Sequence, residues 1–342
     1  MRETSMSIPL INVASLFGPP SALRETTDRA IAQAAGDSGF MTITGLPAHI
    51  PSGAAIRAQL LEIFTLSDTA KRQLWRHSFD PARPNVYRGF FPLQSGGATW
   101  KEGIDMGPDL AYPAMQPDPS DPLTEATPLP SEHDLPGWRA TAQSYYLGME
   151  QLGQAIMRSL ARSLALPETT FDAAFKGGIS TLRLIRYPKR DDAAIPAADR
   201  AKAFVEHNGV SRQLVGGAHV DSGFVTLLAQ DGVEGLQARA TDGAWLNVPP
   251  AEGTLAVNFG GLLERWTGGR IKATEHRVLS PGRERCSIPF FYEPGANADI
   301  RPLPNRPQFE PFTYGDHLWS AMTKFIEFRD LKDARKPRGA VS

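Results

Sequence analysis

The sequence predicts a mainly β fold with α support: a double-stranded β-helix, or jelly roll, braced by N-terminal and C-terminal helices. Three observations carry this expectation. Eight short β-rich runs crowd into residues 181–292, turn residues separate them, and no helix of 10–15 residues lies between them, as βαβ units would require. A long helical repeat over residues 136–164 stands before them. With 342 residues and 41 % hydrophobic content, the chain is large enough to bury such a core.

The elements follow in order. Residues 8–13 form a short apolar run closed by Gly-Pro-Pro at 18–20, and Ser21 caps a helix to about residue 35 with Ala30, Ile31 and Ala34 on its buried stripe. Residues 39–46 read as a strand, 52–64 as a helix and 67–75 as a second capped helix. Proline recurs through 106–136, so that stretch is expected to be loop over the surface. In 136–164, Tyr145, Met149, Leu152, Ile156, Leu160 and Leu164 recur at steps of three and four, the apolar stripe of a helix that packs on a sheet. Strands are expected at 181–187, 214–220, 224–229, 235–240, 245–248, 254–259, 271–279 and 284–292. Asp231-Gly232, Asp242-Gly243, Gly268-Gly269 and Pro281-Gly282 mark turns among them. Helical spacing returns over 316–328 through Leu318, Met322 and Phe325. The expected organisation is one domain over 1–342: a helix-rich region at 8–180, a jelly-roll core at 181–295, and a C-terminal helix and tail at 296–342.

Composition narrows the function. Basic and acidic residues number 36 and 37, a net charge of -1, which gives no electrostatic reason to expect nucleic acid or an anionic membrane as partner. No run approaches the ~18 apolar residues of a membrane span. Residues 1–9 lack signal-peptide zones. A single cysteine, Cys286, leaves no intramolecular disulfide, so the cytoplasm is the expected location and a small molecule the expected partner.

His219-Val220-Asp221 is the first chemical feature. Strand alternation puts His219 and Asp221 on one face and Val220 on the other, so an imidazole nitrogen and a carboxylate oxygen lie side by side. Alone, the tripeptide reads more readily as a surface hydrogen-bonded pair. His276, 57 residues on in another expected strand, changes that reading. Facing the first pair across the barrel, it completes two histidines and a carboxylate with three octahedral positions open, the ligand set of a non-haem iron(II) oxygenase. His49, His77, His133, His207 and His317 have no carboxylate at strand spacing and read as solvated or hydrogen bonded.

Arg285-Cys286-Ser287 puts a guanidinium and a hydroxyl on one strand face. A guanidinium facing a barrel interior is costly unless an anion meets it. A protein carboxylate and a ligand carboxylate both satisfy that demand, and the nearby triad favours the ligand. Cys286, facing away, reads as packing.

In this order and spacing, these motifs resemble the isopenicillin N synthase-like family of iron(II)/2-oxoglutarate oxygenases. Residues 8–11 (Ile-Pro-Leu-Ile), 39–44, 88–90 (Arg-Gly-Phe), 101–107 and 182–188 also look familial, so the resemblance spans about residues 8–330. It implies a distorted jelly roll holding Fe(II) through His219, Asp221 and His276. It further implies that 2-oxoglutarate meets iron through its keto and C1 carboxylate groups. The C5 carboxylate would rest against Arg285 and Ser287, with Tyr187 donating a further hydrogen bond. Arg183 matches a position near the C1 carboxylate in a similar ethylene-forming member, while Ile185 stands where many plant members carry asparagine. With O₂ the implied outcome is oxidation of a small molecule, hydroxylation by default, with release of succinate and CO₂.

Two alternatives remain at this level: an isopenicillin N synthase-like iron oxidase that does not use 2-oxoglutarate, and a non-catalytic β-barrel that binds a small ligand. The substrate space is expected between the metal strands, residues 189–214, residues 87–101 and the C-terminal helix. Phe291, Phe224 and Phe90 are candidate apolar walls. Arg88, Arg186 and Lys101 are candidate contacts to an acidic group, or else solvated surface. The 189–214 stretch, with Asp191, Asp192 and Asp199, reads as a lid or a long connection.

Overall fold

The computed structural model describes residues 7–93, 99–325 and 328–339. β1 (Leu10–Asn12) runs parallel to β2 (Phe40–Thr44), joined by α1 (Ala22–Asp37). Ser21 caps α1 as expected, its hydroxyl accepting the Arg24 N–H at 3.2 Å. α2 (Ala54–Leu61) and α3 (Asp68–Gln73) follow, and Ser67 caps the latter through the Ala70 N–H at 3.2 Å. β3 (Gly89–Phe91) and β4 (Glu102–Met106) precede the long α4 (Trp138–Ser163). Its stripe of Tyr145, Met149, Leu152, Ile156 and Leu160 is at most 1 % exposed and packs on α1, α2 and the sheet behind.

A single turn, α5 (Asp172–Phe175), leads into β5 (Thr181–Tyr187). Then come α6 (Arg200–Ala203), β6 (Phe204–His207), β7 (Val210–His219), β8 (Val225–Gln230), β9 (Leu236–Arg239), β10 (Trp245–Asn247) and β11 (Leu255–Phe259). α7 (Gly261–Trp266), β12 (His276–Leu279), β13 (Arg285–Tyr292), β14 (Asp299–Ile300), β15 (Phe312–Thr313) and α8 (Tyr314–Met322) complete the order.

The strands form the expected jelly roll from two curled sheets. The larger runs β1-β2-β11-β8-β13-β5-β4-β3 and the smaller β10-β9-β12-β7-β6. Residues opposed in an antiparallel pair share a face, so the registers sort the larger sheet into two sides. Its outer side, with Ile43, Leu182, Leu184, Leu227, Val257 and Phe290, packs with the helices. Its inner side, with Phe40, Ile185, Tyr187 and Ala256, meets Val215, Leu236 and Val278 of the smaller sheet in a second core. This inner core is where a ligand inside the barrel would lie.

Several elements differ from expectation for identifiable reasons. β3, β4 and β6 lie outside the expected set of strands. β4 reads Glu-Gly-Ile-Asp-Met, without apolar alternation, because its acids meet arginines of β5: Glu102 Oε1 lies 3.0 Å from Arg186 Nη1, and Asp105 Oδ1 lies 2.5 Å from Arg183 Nε. β7 starts four residues before the expected 214, as half of a hairpin with β6 closed by Asn208-Gly209, both at positive φ (52° and 74°). An Asn-Gly turn of this primed kind suits strand twist. The second half of 189–214 is therefore sheet rather than lid. β12 is shorter than expected because residues 272 and 274 are tied to α1 and its end: Lys272 N–H donates to Ala35 O at 2.8 Å and the Thr274 hydroxyl bonds Ser38 O.

The loop over 106–136 is irregular apart from turns at Pro108–Leu110 and Pro122–Thr124, but it is not confined to the surface, since Leu110, Leu123 and Leu135 are buried. The expected C-terminal helix is α8, two residues earlier in its start and shorter. Residues 326–327 of that expectation, 94–98 of the expected substrate wall and 1–6 of the expected leaderless start lie outside the described residues. Among the described residues no helix is long and apolar enough to cross a membrane.

Candidate active site

His219 ends β7 and His276 opens β12, and the two are directly opposed in the antiparallel pairing of these strands. The sequence predicts a meeting across the barrel; they are instead neighbours within the smaller sheet, with ring centroids 4.3 Å apart. Asp221 lies two residues past the end of β7 and turns its carboxylate between them. Its Oδ1 is 3.7 Å from His219 Nε2 and 3.8 Å from His276 Nε2. Ligand atoms of the three lie within 4.8 Å of one another, the one such group among the described residues.

Neighbours orient each ligand. His219 Nδ1 is 2.8 Å from Gly217 O, and His276 Nδ1 is 3.1 Å from Thr274 O. A proton on each Nδ1 satisfies those carbonyls and leaves the Nε2 lone pairs free for a metal. Asp221 Oδ2 accepts from Thr226 Oγ1 at 2.6 Å and from Asn258 Nδ2 at 2.8 Å, which leaves Oδ1 for the ion. Burial works to raise the Asp221 pKa, but His276, His219 and these two bonds outweigh it and hold the carboxyl below its ordinary range. Burial, then the neighbouring His276, lowers the His219 pKa, and Lys101 contributes in the same direction. Both shifts favour the forms that bind metal, carboxylate and neutral imidazole. Thr226 and Asn258 escape sequence reasoning because neither sits in a motif; only the β8–β11 register brings them to Asp221.

The other histidines serve locally. His207 Nε2 is 2.8 Å from Gln237 Nε2, His317 Nε2 is 3.0 Å from Ser222 O, and His77 Nδ1 is 2.9 Å from Arg83 O. His133 is fully out in solvent beside Asp134, and His49 stands edge-on to Phe17.

The second cluster lies on the facing wall. Arg285 opposes Tyr187, and Ser287 opposes Ile185 and Gln230, all on the inner side of the larger sheet. Arg285 is 0 % exposed and its guanidinium stands 5.4 Å over the Tyr187 ring. Nη2 donates to Gln230 Oε1 at 3.2 Å, while Nε and Nη1 have no partner among the described residues. Among the described residues no carboxylate lies within ion-pair distance, so the internal salt bridge left open by the sequence is not what is found. A buried, unpaired guanidinium costs several kcal/mol, roughly, and calls for an anion from outside the chain. The residues thus fit both an iron ion and a dicarboxylate reaching from it.

Arg183 also faces inward. It grips Asp105 through Nε and Nη2, the latter at 2.8 Å, between the rings of Phe91 and Phe291 at 5.6 and 5.4 Å. Burial pushes the Asp105 pKa up, but Arg183 and Arg76 pull harder and keep it low. Phe291 opposes Thr226, so its half-buried ring lies toward the metal side.

Three expected substrate contacts are corrected. Phe224 is 2 % exposed in the outer core, against Phe175, Trp266 and Tyr314 at 5.4, 5.4 and 5.7 Å. Phe90 points outward to Phe64 at 6.3 Å, and alternation on β3 turns Phe91 inward instead. Arg88 is wholly buried, donating to Thr181 Oγ1 at 2.6 Å and Ile179 O at 2.9 Å, which makes it structural. Arg186 is paired with Glu102 and Glu284, while Lys101 lies near His219.

Glu293 carries no sequence signal of its role. Its Oε1 accepts the Tyr314 O–H at 2.7 Å and its Oε2 accepts from Thr181 at 3.3 Å. Burial pushes its pKa up to about 7 despite the Tyr314 bond and nearby Arg88, against an ordinary 4.5. The folded state therefore holds an extra proton between those values, so stability is full below pH 4.5 and is lost as pH rises toward about 7. Glu293→Gln keeps an acceptor for Tyr314 and removes this dependence, raising stability above pH 7 by up to about 3 kcal/mol. Melting curves from pH 4 to 8 check it; equal slopes in both proteins would contradict it.

Comparison with known proteins agrees with this geometry. Residues 183–294 match the 2OG-Fe(II) oxygenase superfamily. The 2-oxoglutarate-Fe(II) type oxidoreductase hxnY of Emericella nidulans is 30 % identical, covering 92 % of this chain and 88 % of that protein. Isopenicillin N synthase of Streptomyces clavuligerus is 28 % identical, covering 94 % and 96 %. Among solved structures, a full-length Neurospora crassa protein in complex with alpha-KG and 5-formyluracil superposes with a TM-score of 0.77 at 25 % identity, covering 95 % of this chain and 98 % of that one. This chain therefore belongs to the isopenicillin N synthase-like family of 2OG-Fe(II) oxygenases and is an oxidoreductase of the dioxygenase type that uses Fe(II), 2-oxoglutarate and O₂.

Proposed function

We propose that the enzyme hydroxylates a small organic molecule, with iron held by His219, Asp221 and His276 and the C5 carboxylate of 2-oxoglutarate held by Arg285 and Ser287. The observation that carries this reading is the unpaired Arg285 guanidinium, buried on the inner wall that faces the triad. Iron with 2-oxoglutarate and O₂ would supply the oxidising power, with 2-oxoglutarate leaving as succinate and CO₂ and one oxygen atom going to the substrate. The chain's own work is positioning. Thr226 and Asn258 fix the Asp221 carboxylate, and the Gly217 and Thr274 carbonyls fix the imidazoles. Tyr187 shields the Arg285 guanidinium with its ring face. Phe40 stands edge-on to His276 at 6.3 Å and gives that imidazole an apolar neighbour.

The substrate is read as a small, ring-sized molecule with a polar or anionic group, seated against Phe291 and Arg183. Arg183 is supported by Asp105 and flanked by two phenyl faces, which suits a planar acceptor; a role at the C1 carboxylate, which the family resemblance implies, would use the same guanidinium. The Neurospora crassa neighbour, which holds 5-formyluracil with alpha-KG, supports a substrate of that size. We also read the chain as one oxygenase unit, since β1–β4 and β5, β8, β11 and β13 share one sheet. The lone buried Cys286 suits a reducing compartment such as the cytoplasm.

A metabolite panel scored for succinate release tests the reading. Release stoichiometric with a product heavier by one oxygen is expected for a ring-sized acid, amide or imide. Turnover that needs no 2-oxoglutarate would overturn it.

A further inference from the structure

We infer that Trp100 is a co-substrate contact, its indole N–H donating to the distal carboxylate of 2-oxoglutarate beside Arg285. The inference rests on the reading that Arg285 receives that carboxylate. Trp100 lies two residues before β4 of the larger sheet, yet its backbone N–H donates to Val215 O of β7, in the smaller sheet, at 3.3 Å. It thereby closes the gap between the sheets. The ring packs on the inner core that holds Ile185, Tyr187 and Val215, and the Arg190 guanidinium covers it at 4.5 Å. Nε1 is buried and, among the described residues, has no hydrogen-bond partner.

A tryptophan that buries its N–H normally finds an acceptor. Two other donors in the same inner core also lack one, Nε and Nη1 of Arg285. The registers put them level with Trp100. Along β7, Gly216 opposes Val278 and Leu214 opposes Leu279. Leu279 N–H bonds Gly235 O at 2.8 Å, and a Cβ on Gly235 would stand 3.6 Å from Arg285 Cδ. Val215, from which Trp100 hangs, and Arg285 therefore share one layer of the barrel, about 13 Å of strand from His219. A carboxylate's two oxygens offer about four lone-pair sites; Arg285 Nε and Nη1 and the Ser287 hydroxyl account for three, which leaves one for the Trp100 N–H. The competing partner is a water shared with Gln213 Oε1, the unpartnered buried acceptor on β7.

Trp100→Phe keeps the ring and removes the donor. With Mn(II)-loaded protein under anaerobic conditions, calorimetric titration should show the Kd for 2-oxoglutarate rising about 10-fold. The Kd for 2-oxobutyrate, which lacks the distal carboxylate, should not change, and Gln213→Leu should leave 2-oxoglutarate affinity intact. An unchanged 2-oxoglutarate Kd in Trp100→Phe, with or without a lower melting temperature, would overturn the inference. So would equal losses for both keto acids. Wild-type protein that binds manganese but no 2-oxoglutarate would instead sink the Arg285 reading on which it rests.

Discussion

Asp221→Ala is expected to abolish iron-dependent turnover, lowering kcat/KM by at least about 1,000-fold. Asp221 is the anionic member of the triad, and its Oδ1 stands between two Nε2 atoms at 3.7 and 3.8 Å. Without it, two neutral imidazoles remain, too little charge to hold a divalent ion in an open site. The substitution also strips Thr226 Oγ1 and Asn258 Nδ2 of their shared acceptor, which costs stability by about 1–3 kcal/mol. A melting curve separates that loss from the catalytic one. Asp221→Asn keeps the shape and should fail in the same way. Full activity in either variant would defeat the metal assignment.

Arg285→Gln is expected to weaken 2-oxoglutarate binding by about 30- to 1,000-fold, the range for losing one side of a desolvated charge pair. Iron or manganese affinity should hardly move, because the side chain lies on the facing wall. A second readout distinguishes a ligand contact from a structural salt bridge. In the ligand-free protein the guanidinium is buried with two nitrogens unpartnered, so removing its charge should leave melting unchanged or raise it. The stabilisation that 2-oxoglutarate confers on the wild type should vanish. A large drop in ligand-free stability with normal 2-oxoglutarate binding would assign Arg285 to the fold instead.

The jelly roll and both chemical clusters are legible in the sequence because each depends on strand alternation around residues of unusual chemistry. His219, Asp221, His276, Arg285 and Ser287 can all be named from spacing. What alternation alone does not carry is register. The histidines are adjacent rather than facing because β12 pairs with β7, and Thr226, Asn258 and Gln230 enter the site through strand pairings that leave no local mark. The phenylalanines show the same limit: a one-residue difference on β3 turns Phe91 inward and Phe90 outward, and Phe224 falls just before β8 into the outer core. β4 is hidden because cross-strand ion pairs, Glu102 with Arg186 and Asp105 with Arg183, stand where apolar alternation would mark a strand. The β6–β7 hairpin does carry a local signal in Asn208-Gly209, at positive φ in the structure, and that dipeptide is readable.

Anomalous X-ray diffraction from crystals grown anaerobically with Fe(II) and 2-oxoglutarate addresses the whole arrangement at once. The expected map holds one iron peak about 2.0–2.2 Å from His219 Nε2, His276 Nε2 and Asp221 Oδ1, with the distal carboxylate against Arg285. Iron bound elsewhere, or a 2-oxoglutarate whose far carboxylate leaves Arg285 unmet, would contradict the account.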